Sequence, residues 1–495
     1  MSEDQTEIHP TVIVAICASE KDIAELQTFF HSIPQDLPAS FIILEAASDS
    51  LLIDSFLIQE QWTRVQTVSD GTELAINTIY LVPTGQYFRI ESNYFQQVKL
   101  NSKSLPLPIN YFLSSLVTEV KERAIGIIFS SVENDGLKGL QTIREKGGFA
   151  FIQETESDNN ATSLIAPEIA DQVLPIAQIV EQVIQIIQTH EYQVDSDFSD
   201  LPNISSEQIQ EILSILSQRE NLDFSYCKIK TLKRRIYRRC SLGGYFEIDH
   251  YLTRLKTSEE ERLLLKNDLT IGVTRFFRDP EAWDYLQKTI LPQYLHDMEE
   301  GQEFRAWVTA CSTGEEAYSL AIILDELREE LGKKLIFKIF ATDLDDVAIT
   351  TAAQGIYTER IQNEVSAERL NKYFSYRNNK YHVSPLLRKM ITFAPHNLVK
   401  NVGFTRMNFV SCRNTLIYMQ PSIQDHILRM LHFALIPKGL LLLGIVDTVG
   451  ELGEELETVS DRYRVFQKKR NIKLPLIKDS LSEYIPPQLK KKTIT

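Results

Sequence analysis

The chain has 495 residues and a net charge of −15, with 43% hydrophobic, 24% charged and 9% aromatic residues. At roughly 150 residues per domain this length predicts about three domains, and the composition excludes a disordered chain or a disulfide-stabilised mini-protein. Residues 1–190 hold 10 basic and 25 acidic side chains, whereas the remainder holds 42 of each. An acidic half beside a neutral half excludes nonspecific nucleic-acid binding as the main role.

Cysteine usage and hydropathy predict a cytoplasmic protein. The five cysteines are scattered and form no CxxC pair, and the histidines show no metal-ligand spacing, which argues against a disulfide framework and a metal site. No run approaches the ~20 apolar residues of a membrane helix. The start, MSEDQTEIHP, is too polar and acidic for a signal peptide. We therefore expect a reducing compartment and no direct membrane insertion.

The first 190 residues predict a mostly parallel sheet. Short runs rich in Val, Ile and Phe alternate with amphipathic stretches, which is the pattern of strands separated by covering helices. A hairpin is expected near 87–100, and the acidic stretch 191–206, which contains Pro202, predicts a linker. The strands are expected at 11–18, 41–44, 78–83, 124–130 and 149–153.

A helical region and a second α/β region follow. From 207 to 298 the pattern is helical throughout, and from 299 to 470 short apolar runs again alternate with amphipathic stretches. The last segment, 471–495, contains three prolines and three consecutive lysines, which predicts a loose tail. The second set of strands is expected at 303–310, 336–342, 389–394, 407–411, 439–446 and 462–468.

Polar residues crowd the strand ends of this second region. The strand at 303–310 runs into CSTGEEAYS, where a capped helix begins and Glu315 supplies a carboxylate. The next strand ends in ATDLDD, and Asp343 at that position is typical of a residue that accepts ribose hydroxyls. No glycine motif for binding phosphates occurs. The pattern favours a nucleoside without phosphates, such as S-adenosylmethionine, although a well-capped helix alone would explain the first motif.

Five motifs occur in a fixed order in this half of the chain. They are VTRFFRD at 273–279, WVTACSTGEEAYSLA at 307–321, ATDLD at 341–345, FAPHNL at 393–398 and SCRNTLIYM at 411–419. Over about 210–470 the chain resembles the CheR family of chemotaxis receptor glutamate methyltransferases. The resemblance implies an all-helical N-terminal subdomain, a Rossmann-like class I domain that binds S-adenosylmethionine, and methylation of receptor glutamates.

The resemblance also implies which residues bind the cofactor. Thr274 and Arg278 would lie in a loop that closes over it, with Arg278 nearest to its carboxylate. Glu315 would hold the methionyl amine, and Asp343 would bind the ribose. These four positions match the family's motifs residue by residue.

A second group of implied residues lies on the adenine and acceptor sides. Asn397 and Leu398 would frame the adenine. Arg413, Asn414 and Tyr418 would line the methyl-transfer channel, where Arg413 and Asn414 also contact the cofactor and Tyr418 faces the acceptor. All five belong to the last two motifs.

The implied catalytic residues are Arg278, Arg413 and Tyr418. A glutamate with an ordinary pKa near 4.3 is already ionised at neutral pH, so the reaction needs no general base. Positioning and desolvation would then supply most of the catalysis, because the carboxylate must be held in line with the methyl group.

Three departures from the family's pattern leave alternatives open. Gly272 stands where the family has Asn, Ala310 where it has Gly, and Asn408 where it has Asp. Ala310 adds a methyl group at a close backbone approach, and Gly272 removes a hydrogen bond. One alternative is a noncatalytic scaffold or a pseudoenzyme that senses S-adenosylmethionine, and another is methylation of a different carboxylate.

A basic helix is predicted in the helical subdomain. Its apolar residues recur at helical spacing on one face, whereas basic residues occupy the other. Such a helix suits docking onto the acidic cytoplasmic region of a chemoreceptor-like protein, and a solvated surface helix is the alternative. The basic residues are Lys228, Lys230, Lys233, Arg234, Arg235, Arg238 and Arg239.

The first half carries its own motifs, AICASEKD, TIYLVPTG, FSSVENDGLKGL and GGFAFIQE. Over about 11–189 they resemble the CheB methylesterase catalytic domain, whose Ser, His and Asp follow the logic of a hydrolytic triad. Ser19 matches the nucleophile and Asp135 the acid, but Ala46 stands near the expected histidine. We therefore predict an inactive esterase-like domain in which Ser19 is a helix cap and Asp135 a turn residue.

Overall fold

The computed structural model describes residues 12–45, 64–99, 107–129, 135–154, 169–191, 204–220, 223–245, 247–270 and 274–472. The chain divides into two compact units, residues 1–220 with 232–269 and residues 221–231 with 270–495. We call these the first and the second unit. Both contain a largely parallel sheet with helices between its strands, so the predicted α/β fold class is confirmed.

The strands of the first unit lie close to the predicted positions. They are β1 Val12–Ala18, β2 Ala39–Glu45, β3 Val65–Thr67, β4 Thr78–Val82, β5 Phe88–Glu91, β6 Tyr94–Gln97, β7 Ala124–Ile128, β8 Phe149–Gln153 and β9 Gln172–Leu174. Seven of them form a parallel sheet in the order β3-β4-β2-β1-β7-β8-β9. The hairpin expected near 87–100 is the antiparallel pair β5-β6.

The apolar run of β1 explains why this sheet is buried on both faces. Side chains alternate between the faces of a strand, and both sets of β1 are fully apolar. Val12, Val14 and Ile16 belong to one hydrophobic cluster, whereas Ile13 and Cys17 belong to a second. Continuous apolar strands of this kind are typical of parallel sheets covered by helices on both sides. The covering helices are α1 Ile23–Ser32, α2 Pro108–Val120, α3 Leu137–Glu145 and α4 Ile176–Glu191.

Four further helices follow, and their residues up to Leu269 belong mainly to the first unit. They are α5 Ser206–Glu220, α6 Ile229–Leu242, α7 Ile248–Thr257 and α8 Glu259–Thr270. Residues 192–203, which include most of the predicted linker, lie outside the described residues. Within the described ranges, no helix is both long and apolar enough to cross a membrane.

The predicted basic helix is α6, and part of its charge is used inside the first unit. The buried guanidinium of Arg238 pairs with Asp171 and Asp268 and donates to the carbonyl of Gly148 at 3.2 Å. The same guanidinium lies 5.8 Å from the ring centroid of Phe149. Asp171 and Gly148 belong to the sheet region that contains β8 and β9, so α6 is held to that region by an ion pair.

The docking prediction is therefore corrected for three of the seven basic residues. Arg235 and Arg238 are buried, and Arg239 donates to Glu261 at 2.6 and 3.1 Å. A buried or paired guanidinium is not available to a partner, because its charge is already neutralised. Lys230, at the start of the helix, is exposed, so its positive charge remains available to a partner.

The second unit has ten strands in its described part, and six of them lie near predicted positions. The ten strands are β10 Glu303–Thr309, β11 Ile336–Asp343, β12 Ile356–Thr358, β13 Phe374–Arg377, β14 Lys380–Val383, β15 Ile391–Pro395, β16 Met407–Cys412, β17 Leu435–Leu443, β18 Leu456–Ser460 and β19 Val465–Lys468. Seven form a sheet in the order β15-β11-β10-β16-β17-β19-β18. Its first five strands are parallel and its last two pairings are antiparallel.

Two features of this unit were not predicted. The strand expected at 439–446 ends at Leu443, and Gly444 to Asp447 form a turn closed by a hydrogen bond of 2.9 Å between the Asp447 N–H and the Gly444 carbonyl. Between 356 and 383, β12, β14 and β13 form a separate antiparallel sheet. The helices of the unit are α9 Pro280–Tyr285, α10 Leu291–His296, α11 Glu315–Leu331, α12 Asp346–Gln354, α13 Ala367–Tyr373, α14 Pro385–Arg388 and α15 Pro421–Ala434, with a π-helix at Leu286–Ile290 between α9 and α10.

Removal of the buried guanidinium should destabilise the first unit. We expect Arg238→Ala to lower its free energy of unfolding by about 3 kcal/mol, because breaking a buried pair leaves an uncompensated charge. Lys230→Ala removes an exposed charge from the same helix and should change the free energy by less than about 0.5 kcal/mol. Urea denaturation followed by circular dichroism measures both. Equal, small effects of the two substitutions would contradict the buried ion pair.

Candidate active site

The predicted site residues meet at one edge of the sheet in the second unit. Strands β10, β11, β15 and β16 are parallel, so their carboxyl ends lie together. The pairing joins Thr309 to Thr342 and Asp343 to Pro395, and Val308 to Ser411. The motifs that follow these four strands are therefore neighbours, although they are far apart in the sequence.

The turn after β10 has an unusual backbone. Ala310, Ser312 and Gly314 have φ angles of 48°, 47° and 96°, in the left-handed region that disfavours residues with a Cβ atom. A Cβ atom at Gly314 would lie 2.8 Å from the Cβ atom of Ala352, so glycine is required there. The turn directs the Ser312 N–H to the Asp343 carboxylate, 2.7 Å away.

The Asp343 carboxylate joins two of these loops. Its Oδ2 accepts from the Ser312 N–H, and its Oδ1 accepts from the Asp345 N–H at 2.9 Å. Burial raises the pKa of Asp343, whereas the two backbone N–H groups oppose that effect. Each oxygen retains a further lone pair. A carboxylate held in this way at a strand end fits a pair of ribose hydroxyls.

Glu315 opens helix α11 and is 9% exposed. Both of its oxygens lie within 2.9 Å of the Thr313 hydroxyl, and it forms no ion pair with any residue that the structure describes. Burial raises the pKa of Glu315 to about 7. A buried carboxylate without a cation is costly, and the ammonium group of S-adenosylmethionine would supply one. The residues present therefore fit this cofactor.

The loop at 274–279 is anchored by its two phenylalanines. The Phe276 N–H donates to Glu364 and the Phe277 N–H to the Ser319 hydroxyl, each at 2.9 Å. Both phenylalanine side chains are buried in the core. Thr274 and Arg278 lie on either side of this anchor and are half-buried. The structure thus fixes the loop that bears both residues, and their contacts with the cofactor stay predictions.

Arg413 is buried, and its guanidinium contacts both this loop and helix α11. Its Nη2 donates to the Asp279 carboxylate at 2.7 Å and to the Arg278 carbonyl at 2.8 Å, and its Nη1 lies 3.2 Å from the Glu316 carboxylate. The guanidinium lies 5.5 Å from the centroid of the Trp283 ring. These contacts hold the 274–279 loop to the end of β16. A direct role for Arg413 in methyl transfer stays a prediction.

Asn414 and Tyr418 lie on a loop that is held from two sides. Asn414 has a φ of 56°, and its N–H donates to Asp447 at 3.1 Å. The Tyr418 carbonyl accepts from the Lys228 N–H at 2.9 Å, and the Ile417 carbonyl accepts from the Lys228 ammonium at 2.8 Å. The sequence motifs did not point to Lys228 or Asp447 as part of this site, because both lie outside them.

Asn397 and Leu398 follow β15 directly. The His396 N–H donates to the carbonyl of Asp343 at 2.7 Å, which keeps this segment beside the end of β11. The Asn397 side-chain oxygen accepts from the N–H groups of Val399 and Lys400 at 2.9 and 3.1 Å. That oxygen therefore shapes the turn, and contact of Asn397 and Leu398 with adenine stays a prediction.

The three departures from the family pattern have different consequences. Ala310 occupies a left-handed position where glycine is unstrained. Asn408 lies near the start of β16, accepts from the Arg305 N–H at 2.9 Å and donates to the Tyr294 hydroxyl at 3.3 Å. It therefore lies at the end of the strand opposite to the carboxyl edge. Gly272 lies outside the described residues.

In the esterase-like half, Ser19 is the cap of a short helical turn. Its hydroxyl accepts from the Lys21 N–H at 3.1 Å, and the Asp22 carboxylate accepts from the Ser19 N–H at 2.7 Å. These reciprocal hydrogen bonds form a capping box. The geometry agrees with the predicted structural role of Ser19.

Asp135 also has a structural partner. Its two oxygens accept from the N–H groups of Ile109 and Asn110 at 3.1 and 2.9 Å, at the start of α2. A carboxylate at a helix N-terminus satisfies backbone donors that lack a partner within the helix. Ala46, the third position of the expected triad region, lies outside the described residues.

Three family models match the chain. The model of the CheR methyltransferase SAM-binding domain matches residues 272–465, that of the CheR all-alpha domain matches 207–270, and that of the CheB methylesterase matches 14–183. They occur in the order expected from the sequence motifs, so the resemblance of both halves is confirmed.

Individual relatives give the same picture. The chain is 30% identical over 457 residues to the uncharacterized 104.1 kDa protein in hypE 3'region of Rhodobacter capsulatus, which covers 88% of this chain and 48% of that protein. It thus spans about half the length of that relative. It is 32% identical over 196 residues to chemotaxis protein methyltransferase Cher2 of Pseudomonas putida, which covers 39% of this chain and 71% of that protein. The CheB methylesterase catalytic domain of Thermotoga maritima shares 22% identity with a TM-score of 0.32, over 35% of this chain and 98% of that structure.

Ala310→Gly should stabilise the second unit. The left-handed backbone costs a residue with a Cβ atom roughly 1–2 kcal/mol, and glycine removes this strain. Glycine also increases the conformational entropy of the unfolded chain, which offsets part of the stabilisation. We expect a net gain of about 1 kcal/mol in the free energy of unfolding, measured by urea denaturation. Ala306→Gly, in the buried and extended part of β10, should instead destabilise the unit by about 1 kcal/mol. Destabilisation by both substitutions would contradict the strain at Ala310.

Binding of S-adenosylhomocysteine should strengthen as the pH rises through about 7, the pKa of Glu315. Below that pH Glu315 is protonated and cannot pair with the ligand's ammonium group, so affinity at pH 6 should be roughly tenfold lower than at pH 8. Calorimetric titration across this range measures the effect. Glu315→Gln should bind weakly and lose the pH dependence. An unchanged pH profile in that variant would exclude Glu315 as the titrating group.

Proposed function

The chain belongs to the CheR methyltransferase family, and on that premise we propose that it methylates glutamate side chains of chemoreceptor-like proteins in chemotaxis-type signalling. The observation that best supports the proposal is a pair of carboxylates at one edge of a parallel sheet, the half-buried Asp343 and the buried Glu315. One carboxylate suits ribose hydroxyls and the other suits an ammonium group. Both groups occur in S-adenosylmethionine.

S-adenosylmethionine supplies an electrophilic methyl group when it is bound. Glu315 pairs with its ammonium group, Asp343 accepts from its ribose, and Arg278 attracts its carboxylate. Asn397 and Leu398 border the adenine, and Thr274 belongs to the covering loop. Arg413 holds that loop against the end of β16 through Asp279 and Glu316. We call these contacts the Arg413 latch.

The acceptor glutamate requires orientation rather than a base, because its carboxylate is ionised at neutral pH. Tyr418 lies on the loop after β16, and its hydroxyl donates to the acceptor carboxylate in our proposal. The tie between Lys228 and the carbonyls of Ile417 and Tyr418 keeps this loop in place. Most of the rate acceleration then comes from positioning the two reactants.

The proposed partner is the acidic cytoplasmic region of a chemoreceptor-like protein. Because Arg235, Arg238 and Arg239 are buried or paired, the positive charge available for docking lies at the start of α6. Lys230 is exposed there, two residues after the tie between Lys228 and the Tyr418 loop. A cation at this position attracts an acidic acceptor towards the site.

The esterase-like domain is noncatalytic in our proposal. Ser19 and Asp135 accept from backbone N–H groups, and Ala46 stands near the position expected for the histidine. All five cysteines are unpaired, which supports the proposed reducing, cytoplasmic compartment.

The strained Ala310 favours the second candidate function, a scaffold or a pseudoenzyme that senses S-adenosylmethionine. The strain lies in the turn that positions the Asp343 carboxylate. It lowers the stability of the turn but leaves the carboxylate in place. A pseudoenzyme of this kind would bind the cofactor without turnover, so binding and methyl transfer must be measured separately.

The proposed function predicts both binding and transfer. S-adenosylhomocysteine should bind the whole chain in a calorimeter, and Asp343→Ala should weaken binding at least tenfold, because the ribose hydroxyls lose a charged acceptor. Asp346→Ala removes an exposed carboxylate three residues away and should bind within twofold of the parent. Failure of the folded parent to bind would exclude both the methyltransferase and the sensor.

In the same samples, a purified cytoplasmic fragment of a chemoreceptor should acquire alkali-labile methyl groups from labelled S-adenosylmethionine. Tyr418→Phe should lower kcat roughly tenfold or more while cofactor affinity stays unchanged, because one hydrogen bond to a charged group is lost. The methyl ester should persist after the donor is exhausted. Binding without transfer would favour the sensor, and enzymatic loss of the ester would contradict an inactive esterase-like domain.

A further inference from the structure

The turn from Gly444 to Asp447 lies beside the loop that bears Tyr418. Strands β16 and β17 are parallel neighbours, and Cys412 pairs with Leu443. The residues that follow the two strands are therefore adjacent. The motifs that identified the cofactor site did not include this turn, and the proposed function has not assigned it a role.

Asp447 fixes the turn to the neighbouring loop. It is 2% exposed, and its Oδ2 accepts from the N–H groups of Asn414 and Gly444 at 3.1 and 3.0 Å. Burial raises the pKa of Asp447, and the backbone N–H groups of Asn414, Gly444 and Ile417 oppose this shift. One buried carboxylate thus connects the ends of two strands.

Gly444 permits this close approach. A Cβ atom at Gly444 would lie 2.7 Å from the Asn414 nitrogen and 2.7 Å from the Asp447 carboxylate. On the outer side of the turn, Arg464 donates from Nε to the Ile445 carbonyl at 3.2 Å. The backbone of the turn is therefore held from both sides.

This rigid turn presents two apolar side chains to solvent. Ile445 is 48% exposed and Val446 is 64% exposed. Exposed apolar groups on a fixed backbone lose little conformational entropy when they are covered. They are suited to contact a partner rather than to fill a core.

A third exposed apolar residue adjoins another contact of the Tyr418 loop. The Lys228 ammonium is bound to the Ile417 carbonyl, and the next residue, Ile229, is also exposed. The backbone N–H of Ile417 is hydrogen-bonded to the Asp447 carboxylate. Exposed apolar residues therefore adjoin both contacts that hold the loop, with the exposed Lys230 next to one of them.

We propose that Ile445, Val446 and Ile229 form an apolar rim that binds the acceptor chain on both sides of the accepting glutamate. This inference rests on the proposed function and adds to it a preference for the residues that neighbour the accepting glutamate. The occupant is a chain segment in which apolar side chains neighbour the glutamate, because the rim is apolar and continuous with the loop of Tyr418. Lys230 adds attraction for the segment's acidic groups.

The double variant Ile445→Ser with Val446→Ser tests the rim. With the receptor fragment as acceptor, its KM should rise roughly fivefold while kcat and the affinity for S-adenosylhomocysteine stay unchanged, because apolar area at the acceptor contact is lost. Ile336→Ser is the matched control. Ile336 is 51% exposed at the start of β11, on the opposite edge of the same sheet, and its KM should equal that of the parent.

A second arm tests the occupant. Serine replacement of the apolar residues next to the methylated glutamate should raise KM for the parent but produce little further rise in the double variant, because a shared contact makes the two effects non-additive. Any of three outcomes would overturn the proposed rim. They are additive effects of the two sets of substitutions, an unchanged KM in the double variant, and an equal rise of KM in Ile336→Ser. Failure of the parent to methylate any receptor fragment would instead overturn the proposed function.

Discussion

The buried guanidinium of Arg413 connects parts of the candidate site that lie far apart in the chain. It contacts Asp279 and the Arg278 carbonyl on the 274–279 loop and Glu316 on helix α11. Since a buried cation must be paired, the loop, the helix and the end of β16 keep one arrangement. The positions proposed for the cofactor and the acceptor both depend on this arrangement.

Each strand end around this latch is shaped by a second polar contact. Asp343 connects the turns after β10 and β11, and Asp447 connects the loops after β16 and β17. In both cases a carboxylate accepts from backbone N–H groups of two loops. Glu315 differs, since its carboxylate is buried, contacts the Thr313 hydroxyl and forms no ion pair within the described residues. Asp343 and Asp447 therefore hold loops in place, whereas Glu315 is suited to bind a charged ligand.

The first unit combines a sheet that is buried on both faces with two esterase-like positions that contact backbone N–H groups. Apolar strands such as β1 preserve the core on both faces, whereas Ser19 and Asp135 cap helical turns. Helix α6 is held to this unit through Arg238 and Asp171. The two esterase-like positions that the structure describes thus contribute to the local backbone structure of the unit.

The sequence by itself determined most strands of the two large sheets and the cofactor class. Apolar runs such as that of β1 and motifs such as ATDLD depend on neighbouring residues only, so they were readable and agree with the structure within a few residues. Only the tertiary structure decided that Arg413 holds the 274–279 loop, that Arg238 is buried and that Asp447 contacts the loop of Tyr418. These roles depend on partners such as Asp279, 134 residues from Arg413. A local sequence pattern does not reveal which distant residue will neutralise a charge, because the packing of the strands determines which residues meet.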